Sequence, residues 1–268
     1  MHFLVEIFRK KTKVNLMILN IRELGILETA RTAGKVTVDG LASRFEVTAQ
    51  TIRRDLTRLA NAGRLERVHG GAVLPSGVRN IRYEERRQLN ATAKEAMATT
   101  CAAKIPDGCS IFLNIGTSTE ALARALISHD RLMVVTNNLN VADILSANPH
   151  CTVLVTGGRP RREDGGLTGV VAVKMLKNFL FDFAILGCSA VSAEGDAYDF
   201  DMDEVIISQA ALSHSRQSWL LADHSKFQRH APVKIANLSQ FDRMITDHAP
   251  PQILSVSQDM GFNIEQTE

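Results

Sequence analysis

Thr48-Ala-Gln-Thr-Ile-Arg-Arg-Asp-Leu-Thr-Arg-Leu-Ala60 is the stretch of this 268-residue chain from which its fold can be read. Ile52, Leu56 and Leu59 recur at i, i+4 and i+7, which makes one apolar stripe on a helix over 48–60. At about 100° per residue the opposite face collects Gln50, Arg53, Arg54 and Thr57. Thr48 offers a hydroxyl where such a helix begins. A helix divided in this way can rest its stripe on a small bundle while long polar side chains reach base edges in a major groove. Arg58, on the flank, is better placed for a phosphate. An amphipathic helix with solvated arginines has the same pattern, so the neighbouring segments decide.

Upstream, Leu24, Leu27 and Ala30 recur at helical spacing over 20–33, and Gly34 is a suitable stop. Thr37-Val38 reads as a short extended link. Asp39 then caps a second helix that turns Leu41, Ala42 and Phe45 inward. Downstream of Gly63, Arg64-Leu-Glu-Arg-Val68 and Ala72-Val-Leu74 flank His69-Gly-Gly71 and predict a β-hairpin. A hairpin directly after such a helix is a wing, with Arg67 and His69 along a backbone or minor groove. Helix pair, polar face and wing together predict a winged helix-turn-helix. Its DNA contacts are expected at Thr48, Gln50, Thr51, Arg53, Arg54, Thr57, Arg58, Arg67 and His69.

The charge distribution agrees. The formal net charge of +2 hides 17 Lys and Arg against 9 Asp and Glu through residue 90, and 14 against 20 beyond it. A basic segment fused to an acidic one predicts that only the first meets a polyanion. Residues 1–16 are expected to be a disordered extension or a stretch ahead of a true start at Met17, 17–75 the winged helix-turn-helix, 76–90 a linker and 91–268 a second domain. Phe3–Phe8 is too short for a signal-peptide core, and its basic residues follow it. No apolar run reaches the roughly 18–20 residues of a membrane span. The four cysteines lack metal or disulfide spacing and read as reduced thiols, so a cytoplasmic location is expected.

Beyond the linker, short β-type runs at 109–114, 132–136, 151–156, 183–188, 218–222 and 244–246 alternate with helical stretches at 117–127, 138–147, 169–179 and 203–214. Such alternation predicts an α/β domain with a mostly parallel sheet, whose ligands bind beyond the carboxyl ends of the strands. The loops there should converge. Asn114, Gly116, Thr117 and Ser118 enter a helix and suit an anion at its N-terminus. Asn137 and Asn138 end the second strand, and Gly157, Gly158 and Arg159 follow the third. Gly165 and Gly166 allow close backbone approach, Glu204 is a carboxylate facing the crevice, and Asp223 and Lys226 close the set. Arg161 and Arg162 read equally well as a solvated basic loop. The acidic run Asp199, Asp201, Asp203 and Glu204 reads as a loop and helix N-terminus rather than a metal site. No metal, cofactor or catalytic motif is expected.

Leu41-Ala-Ser-Arg-Phe-Glu-Val-Thr-Ala-Gln-Thr-Ile-Arg-Arg-Asp-Leu56, followed by Arg67-Val-His-Gly-Gly-Ala72, resembles the signature of the DeoR family of bacterial regulators. The second half resembles that family's effector domain, which is related to ribose-5-phosphate isomerase-like folds. The likeness implies a homo-oligomeric repressor of carbohydrate or polyol operons that leaves operator DNA when a phosphorylated metabolite binds. Val135-Thr-Asn-Asn-Leu-Asn-Val-Ala142 and Asp223-His-Ser-Lys-Phe227 resemble the branch responsive to sn-glycerol 3-phosphate. The family's Asp-x-Gly-Thr-Thr is here Asn114-Ile-Gly-Thr-Ser118, so an amide replaces a carboxylate. The alternative, a sugar-phosphate isomerase-like enzyme with a basic head, would need acid and base groups from Asp223, Lys226 and Glu204.

Overall fold

The computed structural model describes residues 21–33, 35–61, 64–68, 70–73 and 83–267. Residues 1–16, Gly34, Gly63, His69 and the greater part of the expected linker lie outside them. The chain divides into two compact units, one through Ser76 and one from Gly77.

In the first unit, helices α1 (Ile21–Ala33), α2 (Val38–Phe45) and α3 (Ala49–Asn61) combine with strands β1 (Lys35–Thr37), β2 (Glu66–Val68) and β3 (Gly71–Val73). The strands form an antiparallel sheet in the order β1-β3-β2. Thr37 and Val38 are therefore not merely a link. Thr37 ends the strand and caps α2, accepting the Gly40 amide at 3.2 Å, while Asp39 sits in the first turn. The strand ahead of Thr37 gives it the extended backbone that an N-cap needs. At Gly71 a Cβ would lie 1.9 Å from the Val36 carbonyl oxygen, so β3 approaches β1 only as glycine.

Sequence periodicity misplaced the inner face of α1. Ile26, Leu27 and Ala30 are buried with Glu23, whereas Leu24 is 53% exposed. The stripe is 23, 26, 27, 30, and an acidic residue takes one of its positions because Arg58 reaches Glu23 at 3.2 Å.

The second unit is built on seven strands. They are β4 (Ser110–Leu113), β5 (Leu132–Thr136), β6 (Cys151–Val155), β9 (Phe181–Gly187), β12 (Ser215–Leu221), β14 (Arg243–Thr246) and β15 (Asn263–Gln266). They pair in the order β15-β14-β12-β9-β4-β5-β6, and every pairing is parallel. Helices α5 (Ala91–Ala102), α6 (Thr117–Ala125) and α7 (Leu139–Leu145) pack with Ile111, Leu113 and Ile185 in one apolar layer. Helices α8 (Val170–Leu176), α9 (Met202–Ser213) and α10 (Pro251–Met260) pack with Phe112, Ala184 and Leu186 in the other. Alternation along β4 and β9 serves both faces, as a doubly covered sheet requires. Short strands β7 (Arg159–Pro160) and β8 (Leu167–Thr168) pair with each other, and β10 (Ala190–Val191), β11 (Asp196–Asp199) and β13 (Val233–Asn237) form a small antiparallel sheet. Residues 83–90, expected as linker, contain helix α4 (Tyr83–Gln88), which packs on α6.

The strand order reverses at β4. Strands β5 and β6 continue to one side, and the chain returns to place β9 on the other. Ligands of open α/β sheets bind at such a switch point, beyond the carboxyl ends.

Candidate DNA-reading helix and anion crevice

The stripe of α3 seals the first unit: Ile52, Leu56 and Leu59 are fully buried. Thr48 caps the helix through its Oγ1, which accepts the Thr51 amide at 3.2 Å and lies 3.0 Å from the Thr51 hydroxyl. Gln50, Arg53, Arg54 and Thr57 are exposed, on the face opposite the stripe. Arg67, on β2, is exposed as well. Thr57 donates to the Arg53 carbonyl at 2.7 Å, which holds its side chain against the helix. Arg58 pairs with the buried Glu23, so it spends part of its charge inside the unit. Sequence reasoning missed Asp55. It is buried and takes Arg22 of α1 at 2.6 Å, which ties the reading helix to the first helix.

The crevice of the second unit begins at Asn114, the residue after β4. Its Oδ1 accepts the Gly187 amide at 2.9 Å and its Nδ2 donates to the Gly187 carbonyl at 3.2 Å. The amide thus pairs with the peptide at the end of β9 and braces the switch point. A carboxylate could accept from that peptide but could not donate back. Gly116 caps α6 with no side-chain hydrogen bond, so the first-turn amides have neither an intrahelical nor a capping acceptor from that residue. Thr117 and Ser118 are buried there, and Thr119 locks the loop by donating to the carbonyls of Asn114 and Gly116, both at 2.8 Å.

Lys94 of α5 and Lys226 are buried; Lys226 and Arg86 of α4 act electrostatically on Lys94, and Arg229 and Arg86 act on Lys226. Burial, with Lys226 alongside, lowers the Lys94 ammonium to about 8. Burial also lowers Lys226, against the pull of Asp223. Burial works against the Asp223 carboxylate, but Lys226, Ser225, Asn90 and Lys94 outweigh it and hold its pKa below the usual value. A buried ammonium whose charge a second ammonium disfavours marks a place where an anion is stabilised.

Several expected residues have structural duties. Asn138 caps α7 by accepting the Asn140 amide at 2.9 Å. Asn137 donates to the Leu167 carbonyl at 3.1 Å, while its buried Oδ1 has no partner among the described residues. Gly158 has a φ of +117°, and a Cβ there would stand 2.6 Å from the Thr168 carbonyl oxygen. Gly166 is pressed against Ile115, so both glycines shape the loop by close packing. Gly157 and Gly165 lie in the same loops with positive φ. The two loop arginines take different places. Arg159 is 81% exposed beside Asp203, whereas Arg161 is inside, paired with Asp164 at 2.6 Å, Asp201 at 2.8 Å and Glu204 at 2.8 Å. Burial, with Asp199 and Asp164 nearby, pushes the Glu204 carboxyl upward while Arg161 pulls it down. No cluster of His, Cys, Asp and Glu suited to a metal occurs among the described residues.

Tyr83, Arg86, Lys94 and Glu120 were not legible as site residues. Tyr83 donates to the buried Glu120 carboxylate at 2.9 Å, and Asn140 donates to both Tyr83 and Glu120 at 2.9 and 3.0 Å. Arg86 donates to Asp164 at 3.2 Å. The polar run ahead of Asn90 was the available signal, and its position between two domains made it look like linker.

Comparison with known proteins adds a further line. The DeoR-like helix-turn-helix domain matches residues 22–78, and the DeoR C terminal sensor domain matches residues 89–248. The chain is 39% identical to the glycerol-3-phosphate regulon repressor of Escherichia coli (strain K12), over 91% of this chain and 97% of that protein. It is 38% identical to the HTH-type transcriptional repressor CsqR of the same organism, over 82% of this chain and 85% of that one. Among solved structures, ribose 5 phosphate isomerase A from Neisseria gonorrhoeae aligns with a TM-score of 0.36 at 15% identity, over 50% of this chain and 52% of that one.

Proposed function

Because the chain belongs to the DeoR family, we propose that it represses a carbohydrate or polyol catabolic operon and is released from its operator by a phosphorylated metabolite, best matched by sn-glycerol 3-phosphate. The observation that carries this reading is buried Lys94, on which Lys226 acts, sharing the Arg86 carbonyl with Thr117 in the first turn of α6. A phosphate monoester brings about −1.5 to −2 charges at neutral pH, which first-turn amides and ammonium groups complement. The unpartnered Asn137 Oδ1 suits a hydroxyl of the same ligand. Asn114, engaged with the Gly187 peptide on both sides, offers no carboxylate base at the switch point, which favours a sensor over a catalyst.

On the DNA side, the exposed Gln50, Arg53 and Arg54 would read bases while Arg67 follows the backbone. Paired half-sites on an operator about one helical turn apart call for a homo-oligomer, and the protein would work in the cytoplasm. The test is anisotropy of a labelled operator fragment obtained by selection from random duplexes. Release by sn-glycerol 3-phosphate at micromolar to millimolar concentrations is expected, from a coupling of about 1–3 kcal/mol. Operator affinity indifferent to every sugar and polyol phosphate would end the sensor reading and leave the DNA reading in place.

A further inference from the structure

Helix α4 is held in an unusual way. No residue of it is fully buried, and Tyr83 is only partly so. A six-residue helix has little stability of its own. What fixes it is polar: Tyr83 on Glu120, Arg86 on Asp164, and two groups that reach its C-terminal end. The Lys94 ammonium donates to the Arg86 carbonyl and to the Leu89 carbonyl, the latter at 2.6 Å. The Thr117 hydroxyl lies 3.4 Å from the same Arg86 carbonyl. The last carbonyls of a helix carry its negative partial charge. In this structure, then, backbone oxygens of α4 occupy the donors that an anion at the start of α6 would need.

We infer that α4 is a displaceable plug, whose C-terminal carbonyls compete with the ligand's phosphate for Lys94 and Thr117. This rests on the proposed phosphate reading of the crevice and adds how binding there is transmitted. A phosphate dianion draws Lys94 away from the carbonyls and repels the same oxygens, so the two occupants exclude each other. A cavity of about 500 Å³ borders these residues, lined by Lys94, Thr117 and Glu120 together with Arg87 and Gln88 of α4. When α4 leaves, its freed carbonyls turn to water, Asn140 remains on Glu120, and Asp164 keeps its two-point pairing with Arg161. Release acts on residues 83–88, which follow the DNA-binding unit in the order of the chain.

The test uses the full chain, with sn-glycerol 3-phosphate and inorganic phosphate as probes. Tyr83→Phe removes one tether of α4 and no donor of the anion. Competition predicts roughly tenfold tighter binding of sn-glycerol 3-phosphate by this variant in titration calorimetry, the size of one lost charge-assisted hydrogen bond. It also predicts that amides of residues 84–90 exchange faster in wild-type protein when the probe is bound. Unchanged or weaker binding by Tyr83→Phe, in a variant whose circular dichroism matches wild type, overturns the plug. So does slower exchange over 84–90, although both results leave the phosphate crevice standing. If neither protein binds either probe, the crevice reading fails and the plug with it.

Discussion

Lys94 is a residue whose charge is negotiable. Burial and the neighbouring Lys226 lower its pKa to about 8, so it is protonated below that value and neutral above it. A phosphate monoester loses its second proton around pH 6. Effector affinity is therefore expected to peak between these values and to fall as pH rises through about 8. Calorimetry at pH 7.5 in two buffers of different ionisation enthalpy should show proton uptake on binding; a buffer-independent heat would contradict it. Lys226→Ala removes the other ammonium, and operator is expected to stay bound in the presence of sn-glycerol 3-phosphate, checked by the anisotropy assay. Lys226 was legible because it sits directly after a strand of apolar residues. Lys94 was not, because nothing local distinguishes a helix lysine in solvent from one that α4 and α6 enclose. The same limit applied to Arg159 and Arg161, two positions apart on a glycine-rich loop. Only the placement of Asp164, Asp201 and Glu204 turns one inward and leaves the other on the surface.

At the scale of elements, α3 separates two tasks on two faces, and mutations should separate them too. Arg53 and Arg54 are exposed, and no hydrogen bond or ion pair engages their side chains within the described residues. Arg53→Ala or Arg54→Ala is expected to weaken operator binding by about 1–3 kcal/mol where the arginine is bidentate to guanine. The melting temperature should not move. Asp55→Ala is the converse: it strands Arg22 at the edge of the core and is expected to lower unfolding stability by roughly 1–3 kcal/mol, read by denaturant titration. Periodicity and capping gave α3, the wing and six of the seven strands of the large sheet, with β9 and β12 starting two and three residues before the expected runs, because each buries a continuous stripe or run. They failed where tertiary pairing overrides the local signal. Glu23 holds a core position through Arg58, and β1 is a strand only because β3 lies beside it. The seventh strand, β15, is an edge strand with partly exposed residues, so no apolar run announced it.

At the scale of the whole molecule, opposite net charges on the two halves of the chain imply different responses to salt. Operator binding releases counterions, and log affinity should fall with log salt at about −0.9 per phosphate neutralised. Arg67→Ala should make that slope shallower by about 0.9 per protomer engaged if Arg67 meets a phosphate. An unchanged slope would place Arg67 away from the backbone. The parallel sheet has a consequence for the order of synthesis. The described elements of the first unit are all present once β3 has been made, whereas β4 waits for β9, where Phe183 pairs with Ile111. At about 5–20 residues per second that delay is several seconds or more, and pairing at long sequence separation folds slowly. The DNA-reading unit can therefore take shape on the ribosome well before its sensor exists. A chain arrested in that interval would carry a reading head with no means of being released.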